Sequence, residues 1–170
     1  QLINFDLLNT FTGQNYSSTE IAPDRPVLIM IICNHCPYVV HYHDELKRLH
    51  HDFSGQISFV AISANDVDNY PEDSPEKMKE LWHELGFSFP YLYDETQSVA
   101  KAYQAECTPE FYLFNANHNL IYRGRCDSTS PKSHDHPNGE DIRAAINATI
   151  AGEAISSEQF PSMGCNIKWK

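Results

Sequence analysis

The sequence predicts one α/β domain in which strands and helices alternate about a central mixed sheet, and three observations carry that prediction. Pro26 is followed by Val27-Leu28-Ile29-Met30-Ile31-Ile32, a continuous apolar run that suits a central strand covered on both faces. Directly after it, Val39, Tyr42, Leu46, Leu49 and Phe53 recur every three or four residues among charged neighbours, the pattern of an amphipathic helix stopped by Gly55. A second buried strand, Ile57 to Ser63, comes next. Strand, helix and strand in that order imply parallel strands with a crossover helix.

The remaining elements follow in chain order. Phe5 to Phe11, then Gly13-Gln14, then Tyr16 and Ile21, read as an N-terminal β-hairpin. Asn65 to Asp73 is polar and reads as a loop, its acids Asp66, Asp68, Glu72 and Asp73 solvated. Ser74-Pro75-Glu76 supplies a cap, a first-turn proline and an acid at the positive end of a helix whose apolar face is Met78, Leu81, Trp82 and Leu85. A short strand near Phe89 to Tyr93 and a helix from Gln97 to Ala105 are expected next. Phe111 to Asn115 and Leu120 to Arg123 form a second hairpin across Asn117-His118-Asn119. After a polar loop, Ser128 to Gly139, a last helix carries Ile142, Ala145, Ile146 and Ile150 and closes at Gly152. The domain is therefore expected over residues 1–152, with 153–170 as an aperiodic tail packed on or near it.

With 170 residues the chain has room for one sizeable core. A formal net charge of −11 argues against nucleic acid as a partner, because phosphate contact needs clustered Lys and Arg. The longest apolar run is strand-sized, so no membrane insertion is expected. No basic segment followed by an apolar run opens the chain at Gln1. Five cysteines, an odd number, do not form the framework of a small secreted module; the compartment stays open, with the cytoplasm favoured.

The junction Ile32-Cys33-Asn34-His35-Cys36-Pro37 carries the chemistry. A Cys-x-x-Cys at a helix N-terminus sets its first sulfur beside unpaired backbone N–H groups, which favours the thiolate that performs disulfide exchange. Cys33 is thus the expected nucleophile and Cys36 the resolving cysteine. An imidazolium at His35 would stabilise the Cys33 thiolate and make the couple more oxidising. A zinc half-site is the competing use of such a pair, but no second Cys-x-x-Cys or His-x₃-His follows at the required spacing.

With this pair at a strand–helix junction and a Thr108-Pro109 step before the strand Phe111-Tyr112-Leu113-Phe114, the sequence resembles the thioredoxin superfamily. The resemblance implies a thioredoxin fold, a cis bond at Pro109, and a role for Thr108 and Pro109 in substrate binding. Within it, Cys33 to Val39, Asn69 to Ser74, Phe89 to Thr96 and Gly164 to Trp169 are similar to the peroxiredoxin-like branch of the redoxins, grouped with alkyl hydroperoxide reductase and thiol-specific antioxidant proteins. The likeness runs from Asn4 to the C-terminus.

It implies a thiol–disulfide oxidoreductase acting on a protein or small-molecule disulfide or dithiol, with a reductant that the sequence does not name and no cofactor. The alternative is a thiol-dependent peroxidase, in which Cys33 becomes a sulfenic acid captured by Cys36. Two departures stand out. The peroxiredoxin threonine position holds Met30, which has no hydroxyl, leaving Arg123 or Arg125 as the candidate guanidinium. The buried acid of thioredoxins is replaced by Val27, leaving water or Glu45 as candidate proton acceptors.

Cys107, one residue before Thr108-Pro109, and Cys165 in the tail are a possible second dithiol that exchanges electrons with the first; each reads equally as a packing or tail residue. Cys126 is the expected unpaired thiol. Nine histidines invite a metal, and Cu(I) between Cys33, Cys36 and a loop histidine is conceivable, but no metal is expected.

Overall fold

The computed structural model describes residues 1–170. Strands β1 (Asp6–Asn9) and β2 (Gln14–Ser17) form the N-terminal hairpin, followed by β3 (Val27–Ile31), helices α1 (Pro37–His41) and α2 (His43–Phe53), and β4 (Ser58–Ser63). Then come α3 (Pro75–Leu85), β5 (Tyr91–Tyr93), α4 (Ser98–Ala102), β6 (Cys107–Thr108), β7 (Glu110–Phe114), β8 (Leu120–Gly124), α5 (Glu140–Ala151) and β9 (Cys165–Asn166). Seven strands make one mixed sheet in the order β2-β1-β5-β4-β3-β7-β8, and β6 pairs separately with β9. β3, β4 and β5 are parallel, while β7 runs antiparallel to β3.

The apolar run of β3 is continuous because the strand is covered on both sides. Leu28, Met30 and Ile32 pack with Leu46 and Leu49 of α2, Met78 and Trp82 of α3, and Ile142 and Ile146 of α5. Val27, Ile29 and Ile31 face the opposite layer, made of Val99 and Ala100 of α4, Tyr103, Phe5 and the tail residue Ile167. Strand alternation sorts the two sets. Trp82 stacks on Tyr91 with ring centroids 4.0 Å apart and donates to the Phe89 carbonyl at 2.7 Å, so its indole is buried without an orphan donor. No helix is long and apolar enough to cross a membrane.

Three details depart from the sequence reading. The long helix expected after β3 is broken at Tyr42, which ends α1 with φ −97° and ψ 0°. No glycine or proline marks the break. Instead the Tyr42 hydroxyl is held by Asp127 Oδ1 at 2.9 Å and the Thr129 carbonyl at 2.8 Å, contacts made across the fold. The helix expected over 97–105 is shorter: Asp94 caps its first turn by accepting from the Ala100 N–H (2.8 Å), and it ends at Ala102 because the chain turns at Gln104 with φ 56°. The polar stretch before α3 is not a solvated loop throughout: Asp66 and Asp73 are buried, and Pro71–Asp73 forms a 3₁₀ turn.

The tail is fixed along its length. Arg125 N–H donates to the Phe160 carbonyl and Ser162 Oγ to the Gly124 carbonyl. Further on, the Lys168 N–H donates to Asn65 Oδ1 at 3.0 Å, while Asp66 N–H and Gln97 Nε2 donate to the Lys168 carbonyl. The chain passes so close to the domain that a Cβ at Gly124 would collide with the Phe160 carbonyl, and one at Gly164 with the Thr108 carbonyl.

Candidate active site

The site lies where β3 runs out and α1 begins. Cys33 stands two residues beyond the strand, and Cys36 is the N-cap of α1, with Pro37 at the first helical position. Proline fits there because that position needs no donor. Cys33 is 1% exposed and Cys36 is fully buried. Facing them is the Thr108–Pro109 bond, which is cis. Cys33 Sγ is 3.6 Å from Thr108 Oγ1, and Cys36 Sγ is 3.5 Å from the Thr108 carbonyl oxygen.

The loop between the cysteines is held by an acid that the sequence reading left in solvent. Asp73 is fully buried and accepts from Asn34 N–H (2.8 Å), His35 N–H (3.3 Å) and Asn65 Nδ2 (3.0 Å). Its second oxygen is 2.6 Å from His35 Nδ1. The Asn34 side chain is fixed as well, donating to the Glu72 carbonyl at 3.0 Å and accepting from the Tyr91 hydroxyl at 2.8 Å. His35, stacked on Tyr70, is therefore positioned by Asp73 in the first instance. Cys33, His35 and Asp73 each bring one ligand-type atom to within 4.8 Å of the others. The Asp73 oxygens accept three hydrogen bonds and lie against His35 Nδ1, and the loop histidines His134 and His136 are exposed.

Electrostatics here run against the expectation for a free thiolate. Burial pushes the Cys33 thiol above the ordinary cysteine range, and the Asp73 charge adds to it. The Thr108 hydroxyl and the Cys36 and His35 N–H groups offset this in part. The physical reason is placement: Cys33 precedes the short helix by a full turn and sits under cover, so desolvation outweighs the helix end. Tyr91, completely enclosed and near Cys33 and Asp73, is likewise held as the neutral phenol.

The disulfide of the structure joins Cys36 to Cys165, with Cα atoms 6.3 Å apart, and leaves Cys33, Cys107 and Cys126 as thiols. In this structure Cys165 is therefore bonded to Cys36 and not to Cys107. In the β6–β9 ladder Thr108 lies opposite Cys165 and Cys107 opposite Asn166. Successive residues of a strand point to opposite faces, so Cys165 shares a face with Thr108 and the active-site sulfurs, and Cys107 does not. Cys107 Sγ instead lies near the Ser162 carbonyl, and burial with Glu110 and Glu106 pushes its thiol up to about 12. Cys126 is buried, its thiol raised by desolvation.

The two arginines considered for peroxide orientation are engaged elsewhere. Arg123 Nε donates to Glu110 at 2.8 Å and its Nη2 to the Gln104 carbonyl at 2.6 Å, while Arg125 Nε donates to Asp141 at 2.6 Å. Glu45 is also committed, buried between Arg48 and Arg143. Asp73 is the residue that sequence reasoning missed. Its only signal was that it falls within the Asn69 to Ser74 segment carrying the family resemblance.

The redoxin family model matches residues 4–141. The chain is 48% identical to an uncharacterized conserved protein from Geobacillus kaustophilus, whose crystal structure superposes with a TM-score of 0.96 over 100% of this chain and 90% of that one. It is 37% identical to a hypothetical protein from Sinorhizobium meliloti 1021, with a TM-score of 0.95 over 99% and 92% of the two chains. A thiol-disulfide oxidoreductase from Bacteroides fragilis NCTC 9343 shares the fold at 20% identity, with a TM-score of 0.59 over 71% of this chain and 87% of that one. No curated protein sequence matches the chain. The mixed sheet flanked by helices is the thioredoxin fold, and the chain belongs to the redoxin family.

Proposed function

We propose that the protein is a thiol–disulfide oxidoreductase that works through Cys33 and Cys36. The observation that carries this reading is the meeting of both sulfurs with Thr108 and cis-Pro109, which offers a reacting disulfide a backbone edge beside the nucleophile. Cys33 attacks a sulfur of the substrate disulfide and expels the other as a thiolate. Cys36 then attacks Cys33 Sγ, forming the Cys33–Cys36 disulfide and releasing the second substrate sulfur as a thiol. Run backwards, the same steps oxidise a dithiol. Asp73, with a carboxylate oxygen within 4.8 Å of Cys33 Sγ, is the group at hand to take the thiol proton, with His35 beside it.

Peroxide chemistry is the weaker reading. Fast peroxide reduction calls for an accessible thiolate with hydroxyl and guanidinium donors, and here Met30 is fully buried while Arg123 and Arg125 are bound to acids.

The test is stopped-flow reaction of the reduced protein with a small aromatic disulfide and, separately, with hydrogen peroxide. For disulfide exchange, Cys33→Ser abolishes the reaction and Cys36→Ser stalls as a mixed disulfide on Cys33. Peroxide consumption faster than disulfide consumption, with a sulfenic acid trapped on Cys33 of Cys36→Ser, would overturn the proposal.

A further inference from the structure

We infer that Cys165 is a third exchange cysteine, and that the tail strand carrying it occupies the place of a substrate strand until reduction frees it. The inference rests on the oxidoreductase reading and adds a step and a gate to it. Three observations carry it. Cys165 is bonded to Cys36, the resolving sulfur, and Cys33 is left as a thiol beside the bond. The residue opposite Cys165 in the β6–β9 ladder is Thr108, whose backbone borders the active-site sulfurs, so the tail fills the edge that an extended substrate would pair with. Gly164 lies against the Thr108 carbonyl at a distance that no side chain could share.

The burial pattern gives the arrangement a direction. Cys33 and Cys36 are closed off, whereas Cys165 is half-buried. The hydrogen bond from the Lys168 N–H to Asn65 Oδ1, those from Asp66 N–H and Gln97 Nε2 to the Lys168 carbonyl, and buried Ile167 anchor the tail beyond Cys165 in either redox state, so only the short strand Cys165–Asn166 lifts from Thr108 on reduction. A tethered thiol of this kind acts at high effective concentration.

After one exchange cycle the protein holds a Cys33–Cys36 disulfide and a Cys165 thiol. The Cys165 thiolate attacks Cys36 Sγ, the Cys33–Cys36 bond breaks, and Cys36–Cys165 forms. The Cys33 sulfur leaves as thiolate and takes up the proton that Cys165 gave up, so no outside oxidant or reductant enters this step. The oxidising equivalent now includes Cys165, the least buried of the three residues. Attack of that thiol on Cys165 regenerates Cys36, and a second thiol releases Cys165.

The experiment is disulfide mapping of the full-length protein after oxidation by one equivalent of a small disulfide, joined to the rate of re-reduction by an external thiol. Wild type is expected to yield a Cys36–Cys165 peptide with Cys33 free. Cys165→Ser yields Cys33–Cys36 and is re-reduced more slowly, by about tenfold, because the least buried of the three cysteines is gone. Gly164→Ala, which unseats the strand without removing the thiol, shifts the mapping toward Cys33–Cys36. Cys126→Ser, outside the site, maps as wild type. The relay is overturned if wild type maps as Cys33–Cys36 with Cys165 free, if Cys165→Ser is re-reduced at the wild-type rate, or if the Cys36–Cys165 bond persists unreduced through turnover. The first two leave the oxidoreductase proposal intact, whereas a persistent Cys36–Cys165 bond would also remove Cys36 as its resolving cysteine. That proposal falls separately if Cys33→Ser consumes disulfide as wild type does.

Discussion

Reducing the protein should cost it most of the stability that a long covalent loop provides, and the size of the effect identifies which bond was present. Cys36 and Cys165 are 129 residues apart, so their disulfide removes a large closure entropy from the unfolded chain. In the chain-entropy relation a loop of that length is worth about 5 kcal/mol at 25 °C, whereas the four-residue loop of a Cys33–Cys36 bond is worth about 2 kcal/mol. A chain of 170 residues has an unfolding entropy that converts each kcal/mol into a melting shift of about 3 °C. Oxidised wild type should therefore melt about 14 °C above the reduced form. Oxidised Cys165→Ser, limited to the short loop, should gain only about 5 °C over its own reduced form. Thermal unfolding followed by circular dichroism, with and without an excess of reductant, measures both differences. A wild-type difference no larger than that of Cys165→Ser would refute the reasoning, because it would mean that the long loop does not form.

Two further predictions concern charges around the site. Cys33 is raised above the ordinary cysteine range by burial and then by Asp73, so its alkylation in the reduced protein should climb with pH through and beyond that range. Asp73→Asn removes the adjacent negative charge and should move the profile to lower pH, while Asp73→Glu keeps it high; superimposable profiles for wild type and Asp73→Asn would dismiss Asp73 as the proton partner. Glu45, 1% exposed, is balanced by Arg143 Nε at 3.1 Å and Arg48 Nε at 2.9 Å. Arg143→Ala leaves it short of charge and should cost about 3 kcal/mol, or about 8 °C in melting temperature. The double variant Arg143→Met with Glu45→Leu should recover more than half of that loss, and a double variant no better than the single one would contradict the assignment.

What was legible in the sequence were the features encoded locally. The unbroken apolar run of β3 announced a strand covered on both faces, and the spacing of Leu46, Leu49 and Phe53 announced the helix that covers one of them. Cys33, Cys36 and the Thr108-Pro109 step were visible as motifs, and the fold brings them within contact distance. The partners that arrive from afar were not legible. Asp73 reaches the Asn34 N–H across 39 residues from a turn without periodicity, and nothing in its neighbours says that its carboxylate points inward. From the sequence Cys165 reads with Cys107 as a possible dithiol, and its bond to Cys36 was not legible because it depends on strand parity in a two-residue ladder. The break at Tyr42 likewise coincides with hydroxyl hydrogen bonds to Asp127 and Thr129, partners outside the helix pattern. The tail looked aperiodic because backbone hydrogen bonds and close glycine contacts seat it, and an amphipathic face does not.

The same placement supports the proposed disulfide exchange over peroxide reduction. A peroxidatic cysteine meets a small, freely diffusing oxidant and gains from being a thiolate at rest. Cys33 is enclosed, and its thiol is held protonated by burial and by the Asp73 charge. Met30, in the position of the absent threonine, points into the helix-side core with Leu28 and Ile32, so the backbone offers no alternative hydroxyl from that strand. Disulfide exchange makes different demands. A protein substrate of the proposed exchange would carry a backbone able to pair along Thr108, as Cys165 does in this structure. Pairing of that kind brings the reacting sulfur to Cys33 in a fixed geometry, so a resting thiol is compatible with selective reaction. In the proposed exchange the buried carboxylate of Asp73, on a turn after β4, is the proton acceptor beside the nucleophile, in place of an acid at Val27 on β3.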